Sequence, residues 1–542
     1  MFKQKISQLL EKAAKVREGD FKVDYPEPSF GDYAANIALV LAKKKKKDPL
    51  KIAQNIVRHL NKFKASSKEK LFKEINVAPP GFINFKISEK ELKSVSGQIL
   101  KAGKKFGQNK EGSGKKARVE FISANPTGPM HIGNGRGGPL GDTLANVLSF
   151  SGYKVLREYF DNDCGEQVLE LGKTLAARAG WLKIKEDDLT YKGEYTKELA
   201  LHIKKRIKDS AKFSENTLIQ KLGAMSVKIL FREIIKDAKK MGIKYDLVVH
   251  ESALQKKAPA ILAKLEKRGL LKHYDNAVWF LTGKEKDAVV IKSDGAYTYF
   301  TTDLIYHQEK FQSNFDLVVD VFGSNTSGHI PKLEALAKAL DFDLAKFKII
   351  LYQFVRVRRG KEVVKMSKRA GNFVTAREVL EEVGKDAFRF FILMHDANTH
   401  LDFDLELAKK KGLDNPVYYV KYAHARLSNI LKKARALHFT SNFNLSHFPT
   451  DYQLAPTERN LIVCLSRFPE IVQEAAKTFQ VQKLPQYGLA LAKLVHDFYE
   501  QVRVIDFLNP KTTAARLALV KSSQIVLRNL LKLMGIKAPA RM

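Results

Sequence analysis

Residues 117–160 read ARVEFISANPTGPMHIGNGRGGPLGDTLANVLSFSGYKVLREYF, and the order of apolar run, loop and helix in this stretch decides the fold. Residues 117–122 predict a short buried strand, 123–138 a Gly/Pro-rich turn, 139–150 a helix and 153–160 a second strand. A helical crossover returns the chain to the end of the sheet where it started, so the two strands are expected to lie parallel. Small residues in the loop let the backbone approach a ligand, and the helix that follows aims unpaired N–H groups at any anion seated at its start. His131 stands at that turn, placed to donate to phosphate oxygens. Gly133, Gly135 and Gly138 formally satisfy GxGxxG, with Asp161 at the end of the next strand as a candidate ribose ligand. Against a dinucleotide site, a long Pro-rich loop separates the strand from the first glycine, and a histidine two residues ahead has no part in that logic.

Working outward, strand signals return at 288–291, 317–322 and 347–354, interleaved with helices, and are expected to complete the parallel sheet. Between them and the first unit, residues 183–285 read as a largely helical, Lys-rich insertion, and from 406 onward helical patterns take over. At the other end Phe2, Ile6, Leu9, Leu10 and Ala13 fall on one helical face, and residues 77–87 carry PPG between alternating apolar residues, which predicts a hairpin. Residues 104–116, KKFGQNKEGSGKK, have the composition of a linker. The expected domains are an α+β unit over 1–105, an α/β unit over 110–405 and an all-α unit over 406–542.

The chain has 542 residues, with 94 Lys plus Arg against 59 Asp plus Glu, a formal charge of +35. A field of that sign steers polyanions, nucleic acid first and an acidic membrane surface second. The five lysines at 43–47 read as a solvated helix end before they read as an RNA contact. Cys164 and Cys464 are too few and too far apart for a disulfide framework or a CxxC zinc site, so a reducing, cytoplasmic setting is expected. Nowhere do about 18 apolar residues run together, so a soluble protein without a membrane partner is expected.

Two short words carry a family resemblance. ANPTGPMHIGN, residues 124–134, resembles the HIGH signature of class I aminoacyl-tRNA synthetases, and VKMSKRAGN, residues 364–372, resembles their KMSKS signature. EFISANPTGP, GDYAANIAL, NPVYYVKYAHARL and the final LMGIKAPARM narrow the resemblance to the arginyl-tRNA synthetase family, over nearly the whole chain. It implies a Rossmann-like parallel-sheet catalytic domain, an N-terminal α+β domain that contacts tRNA and a C-terminal helical bundle that binds the anticodon. It implies ATP-dependent activation of L-arginine and transfer to the 3′ end of tRNA(Arg), with tRNA needed for activation. Magnesium would arrive with ATP, and no zinc, no editing domain and a monomer are expected.

Such chemistry rests on positioning and charge neutralisation, not on a protein nucleophile. The resemblance assigns catalysis to His131, Asn134, Lys365 and Lys368, and ATP binding to these residues with Pro129, Gly133, Gly323 and Met366. Lys365 and Lys368, three apart on a loop flanked by Gly360 and Gly371, can bring two ammonium groups to a triphosphate. Arginine falls to Glu120, Ser123, Asn125, Tyr299, Asp303 and Asn325; Tyr299 and Asp303, four apart, would share one helical face. For tRNA the matching positions are Phe30, Asn36, Phe82, Asn84, Tyr418, Tyr422, His424, Arg426 and Arg541. Tyr418, Tyr422 and Arg426 would form an aromatic and basic helical stripe able to stack on unpaired bases, with core packing as the alternative. Two places depart from the pattern. Asn134 stands where HIGH has its second histidine and cannot carry a positive charge. Asn325, Thr326 and Ser327 stand in GSNTSGHI where bacterial relatives resemble GADHHGYV. These departures motivate the alternative of a synthetase-like RNA-binding protein with weakened or no aminoacylation.

Overall fold

The structure, a computed structural model, describes residues 1–17, 19–66, 71–207, 210–283, 287–364, 373–439, 448 and 452–542. Its centre is a parallel sheet of five strands, β1 (Lys116–Phe121), β2 (Lys154–Asp161), β3 (Leu247–His250), β4 (Leu317–Gly323) and β5 (Phe347–Tyr352), in spatial order β5-β4-β1-β2-β3. From β1 the chain moves to one side through β2 and β3, then crosses back to β4 and β5 on the other side. The strand order therefore reverses between β1 and β4, and a crevice opens there at the carboxyl ends of the strands.

Alternation along β1 assigns its two faces. Phe121 packs beneath α1 (Ile132–Phe150), where a Cβ at Gly141 would come within 2.2 Å of the Phe121 ring. Glu120 points to the opposite face, toward Tyr306 and Lys310 of α2 (Tyr299–Gln312). The glycines of α1 are spacing devices. A Cβ at Gly135 would meet the Ala376 Cβ at 2.7 Å, and one at Gly138 would meet Ile243 at 2.9 Å. That close packing explains the formal GxGxxG without a dinucleotide.

After the sheet come α3 (Ala376–Leu393) and the bundle α4 (Pro416–Ala436), α5 (Pro456–Thr478), α6 (Lys483–Gln501) and α7 (Pro510–Leu533). Each helix of the bundle buries one apolar face, such as Leu461, Leu465, Phe468 and Val472 of α5. The N-terminal unit is a four-stranded antiparallel sheet with helices, its hairpin formed by Phe72–Ala78 and Phe82–Ile87. It docks on α5: Glu470 accepts from the Lys3 backbone N–H at 2.8 Å and from the hydroxyls of Tyr25 and Tyr33 at 3.0 and 3.1 Å. Arg459 grips Asp32 through two bonds of 2.9 and 2.7 Å.

Three expectations change. Ala288–Ile291 belongs to a separate antiparallel sheet with Ala277–Phe280 and Leu271–Tyr274, because its partner is the adjacent hairpin strand. The insertion over 183–285 is largely helical, as expected, but also contributes β3 to the central sheet, a strand not anticipated from the sequence. The segment 104–116 is not a free linker, since Phe106 is buried and Asn529 of α7 donates to the carbonyls of Gly103 and Phe106 at 3.0 and 3.1 Å.

Candidate active site and nucleic-acid interface

The crevice between β1 and β4 is shaped first by the exit of β1. Ile122 (φ 70°) and Ser123 (φ 39°) adopt left-handed conformations one after the other, a costly pair for residues with a Cβ, which turns the chain sharply out of the sheet. The turn is held by the Phe160 N–H donating to Ser123 Oγ at 3.0 Å and by Tyr159 donating to the Ala124 carbonyl at 2.7 Å. Asn125 then bonds Asn162 and donates to Gln167 at 2.7 Å, which fixes it beside the end of β2.

His131 caps α1. Its Nδ1 accepts from the Asn134 backbone N–H at 3.3 Å, which places the proton of the neutral ring on Nε2. The ring lies against Gly133, where a Cβ would approach His131 Cε1 to 2.6 Å. The Ile132 N–H donates to Val374 O at 3.0 Å and the Ala376 N–H to Met130 O at 2.8 Å, so the segment that follows the second signature is laced to the first. Phe373 meets the His131 ring edge to face at 6.5 Å. Lys365, Met366 and Lys368 lie outside the described residues; residues 373–376, which follow them, are at the mouth of the crevice.

An acidic rim completes the carboxyl end of the sheet. Asp303 accepts from His329 at 2.8 Å, and that bond, opposed by burial, raises the His329 pKa. Glu251 accepts from Thr302 at 2.9 Å, and burial pushes its carboxyl up to about 7, with Asp303, Asp163 and Asp161 adding repulsion. Asp161 meets His250 at 2.8 Å and is pushed up to about 6, chiefly by burial. Asp161, Asp163 and His250 are the grouping among the described residues that could hold a metal ion, yet Asp163 is spent capping Ser252 with bonds of 2.8 and 2.7 Å. Asn325 folds back so that its Oδ1 would sit 2.6 Å from a Cβ at Gly323. The backbone of Tyr299 opens α2, one turn before Asp303. Pro129 is half-buried in the loop ahead of His131.

Beneath the crevice lies a charge network that composition and motifs do not announce. Asp320, Glu120 and Glu158 stand in register across β4, β1 and β2, a row of three buried carboxylates. Like charges side by side repel, and each is costly to bury without a partner. Lys310, fully buried, bonds both Glu120 and Asp320; Arg118 forks onto Glu158; and Tyr306 donates to Glu120 at 3.0 Å. Burial works to raise Asp320, but Lys310 and then His307 pull it below the usual carboxylate range, while burial keeps Glu120 above it despite Lys310. Glu120 therefore sits under the crevice with its carboxylate already committed, not open to it. The signal available in sequence was a charge inside an apolar run, Asp320 in LVVDVF, and Lys310 seven residues beyond Asp303 on one helical face.

On the bundle, Tyr418 and Tyr422 stack at 6.0 Å, and the Arg426 guanidinium lies 4.6 Å from the Tyr422 ring and 4.4 Å from that of Tyr499. His496 stacks on Tyr422 at 5.8 Å, so α4 and α6 build one aromatic and cationic surface. His424 is not part of it: the side chain is buried on the other side of α4 and bonds the Pro539 carbonyl at 2.8 Å. Arg541 is exposed. In the N-terminal unit Phe30 and Phe82 are exposed aromatics, whereas Asn84 is buried and Asn36 uses its carbonyl to accept from the Lys22 N–H at 2.8 Å. Of these four residues only the two phenylalanines are exposed.

Three family descriptions match the chain: "Arginyl tRNA synthetase N terminal domain" over residues 1–87, "tRNA synthetases class I (R), catalytic domain" over 95–412 and "DALR anticodon binding domain" over 420–542. The parallel sheet and its glycine loop are thus the catalytic domain of a class I tRNA synthetase, a class that uses ATP. The arginine–tRNA ligase of Thermotoga maritima is 38% identical over 552 residues, covering 100% of this chain and 99% of its own. That of Geobacillus kaustophilus is 37% identical over 562 residues, with the same coverage of 100% and 99%. The arginyl-tRNA synthetase of Thermus thermophilus, 22% identical, shares the fold over 100% of both chains with a TM-score of 0.78. The chain belongs to the arginyl-tRNA synthetase family, and the reading of an RNA-binding scaffold without ligase activity is not favoured.

Proposed function

We propose that the chain joins L-arginine to the 3′ end of tRNA(Arg) at the expense of ATP, and that arginine is activated only when tRNA is bound. The observation that carries this reading is the lacing of residues 373–376 to the His131 loop at the switch point, in a chain alike from end to end to ligases of that name. In the first step the arginine carboxylate attacks the α-phosphate of ATP, which enters with magnesium, and pyrophosphate leaves; in the second a hydroxyl of the terminal ribose takes the arginyl group and AMP leaves. Neither step asks for a protein nucleophile.

The start of α1 offers backbone N–H groups and a partial positive charge to the phosphates, with His131 Nε2 and Asn134 as donors beside them. Lys365 and Lys368 supply the charge that neutralises the departing pyrophosphate. Gly133 leaves room for the adenosine against the backbone, flanked by Pro129, Gly323 and Met366. Asp303 receives the guanidinium at the acidic rim with Tyr299, Ser123 and Asn125 hold the α-amino and carboxylate ends, and Asn325 reaches in from the loop after β4. Glu120 acts from beneath, as a fixed negative charge shared with Lys310. Tyr418, Tyr422 and Arg426 take anticodon bases, Arg541 assists near them, and Phe30 and Phe82 meet the outer corner of the tRNA.

Arginine-dependent pyrophosphate exchange tests the proposal. Exchange is expected with cognate tRNA and absent without it; silence in the presence of that tRNA would sink the reading. Asp303→Asn should lower kcat/KM for arginine by about 2–4 kcal/mol, roughly 30- to 1,000-fold, with tRNA binding intact.

A further inference from the structure

Where α3 meets the end of α7, a cleft of about 350 Å³ is lined by Lys385, Arg528, Lys532, Gly535, Ile536 and Lys537, with Ala538 at its edge. Its four cations have no carboxylate partner among the described residues. The nearby Asp386 is committed elsewhere, to Lys421 at 2.6 Å and to the Lys537 N–H at 3.3 Å.

The cleft is built, not incidental. Gly535 (φ 67°) crosses directly over the buried Arg389 guanidinium, where a Cβ would sit 2.5 Å from Arg389 Cζ. Arg389 holds that turn by donating to the Met534 carbonyl at 2.5 Å and bonding Asp142 of α1 at 2.7 Å. The following residues are pinned by His424, which bonds Pro539.

Cations at the end of a helix often do no more than offset its dipole, worth about half a charge. Here that account is insufficient. Gly384 (φ 78°, ψ 161°) breaks α3, so Lys385 opens a new helical segment whose positive end opposes the negative end of α7. The two helix ends roughly cancel and four cations remain. The positive field extends along α7, where burial together with Arg528 and Arg435 lowers the Lys521 pKa, and burial, Arg528 and Lys521 lower that of His424.

We propose that this cleft binds the phosphodiester backbone of the bound tRNA, between the anticodon surface and the crevice. The position argues for that source of phosphate. The segment 535–538 that lines the cleft runs on to the exposed Arg541, and Lys421 of α4 pairs with Asp386 next to Lys385, while the start of α3 touches the His131 loop through Ala376. An RNA engaging both ends runs past the junction that α3 spans.

The inference rests on the reading of the chain as a tRNA ligase, and its test separates the two. Full-length protein carrying K385Q, R528Q, K532Q and K537Q together is compared with the unaltered chain for tRNA binding from 0.05 to 0.3 M salt. The plot of log affinity against log salt should become shallower by about 3, and tRNA affinity at 0.1 M salt should fall at least about 10-fold. The arginine KM at saturating tRNA should be unchanged. Four Lys→Gln changes at Lys264, Lys267, Lys272 and Lys338, none of which lines the cleft, should move the slope less. An unchanged slope in a folded variant that still charges tRNA overturns the cleft proposal alone, as does loss of inorganic pyrophosphate binding with the tRNA slope intact, which would mark a site for free phosphates. An unaltered protein that cannot charge tRNA overturns the ligase reading instead.

Discussion

At the scale of single residues, Gly133 is a tightly constrained position in the crevice. A methyl group there would collide with the His131 ring, and the ring cannot yield without releasing its bond from the Asn134 N–H. Gly133→Ala should leave the melting temperature within a few degrees of the parent, because neither residue anchors the core, yet lower kcat for exchange by about 10- to 100-fold. Equal loss of stability and activity would refute a local effect on the His131 ring. Glu251 shows how the acidic rim records its unmet charge. Its folded pKa of about 7 lies above the ordinary carboxylate value of about 4.3, so protonation favours the native state. The stability it contributes is whole below about pH 4 and is lost as pH rises through 7. Urea midpoints measured from pH 5 to pH 8 should therefore decline less steeply in Glu251→Gln than in the parent.

At the scale of elements, α2 is clamped to two strands by one ammonium group. Lys310 sits between Glu120 of β1 and Asp320 of β4, and Arg118 serves Glu158 of β2 in the same row. This clamp sets the height of α2, and with it Asp303, above the exit of β1. Lys310→Met keeps most of the stem but strands two buried carboxylates, a change expected to cost about 3–5 kcal/mol in urea unfolding. Adding Glu120→Gln should recover part of that loss, because one of the two stranded charges is removed with it. The same exchange in a surface pair such as Lys197–Glu194 should cost less than about 1 kcal/mol.

At the scale of the whole molecule, the N-terminal unit and the bundle form a continuous body because Glu470 of α5 satisfies three donors across their boundary. Arg467 reinforces the joint, its guanidinium 4.5 Å from the Tyr25 ring and its Nη2 donating to the Asp32 carbonyl at 2.7 Å. The exposed Phe30 and Phe82 are thereby held at a fixed distance from the Tyr418–Tyr422 surface. Glu470→Ala leaves the Tyr25 and Tyr33 hydroxyls and the Lys3 N–H without their acceptor and should cost about 2–5 kcal/mol. Limited proteolysis should then release the N-terminal unit while α5 stays protected. A cleavage pattern identical to the parent would show that Arg459 and Arg467, through Asp32 and Tyr25, hold the joint without Glu470.

Much of this was legible in the chain. The strand–loop–helix order of residues 117–160 and the all-α character beyond 406 depend on local periodicity and composition, which survive without knowledge of the fold, and the two signature words were legible by family resemblance. Helical spacing likewise groups Tyr418, Tyr422 and Arg426 on one stripe, whereas Asp303 was singled out by the resemblance. What needed three dimensions was every choice between a surface and an interior partner. His424 lies two residues from Tyr422 and two from Arg426, yet about half a turn of α4 carries it to the far side, against the C-terminal segment. Glu120 reads as an open carboxylate until strand register sets it beside Asp320 and Glu158 and helix packing brings Lys310 from 190 residues away. Ala288–Ile291 has the residues of a central strand and is one only of a side sheet, because pairing is decided by which neighbour arrives. The charge of +35 divides in the same way: its sign and size belong to composition, but the gathering of Lys385, Arg528, Lys532 and Lys537 at one cleft comes from α3 and α7 meeting over Arg389.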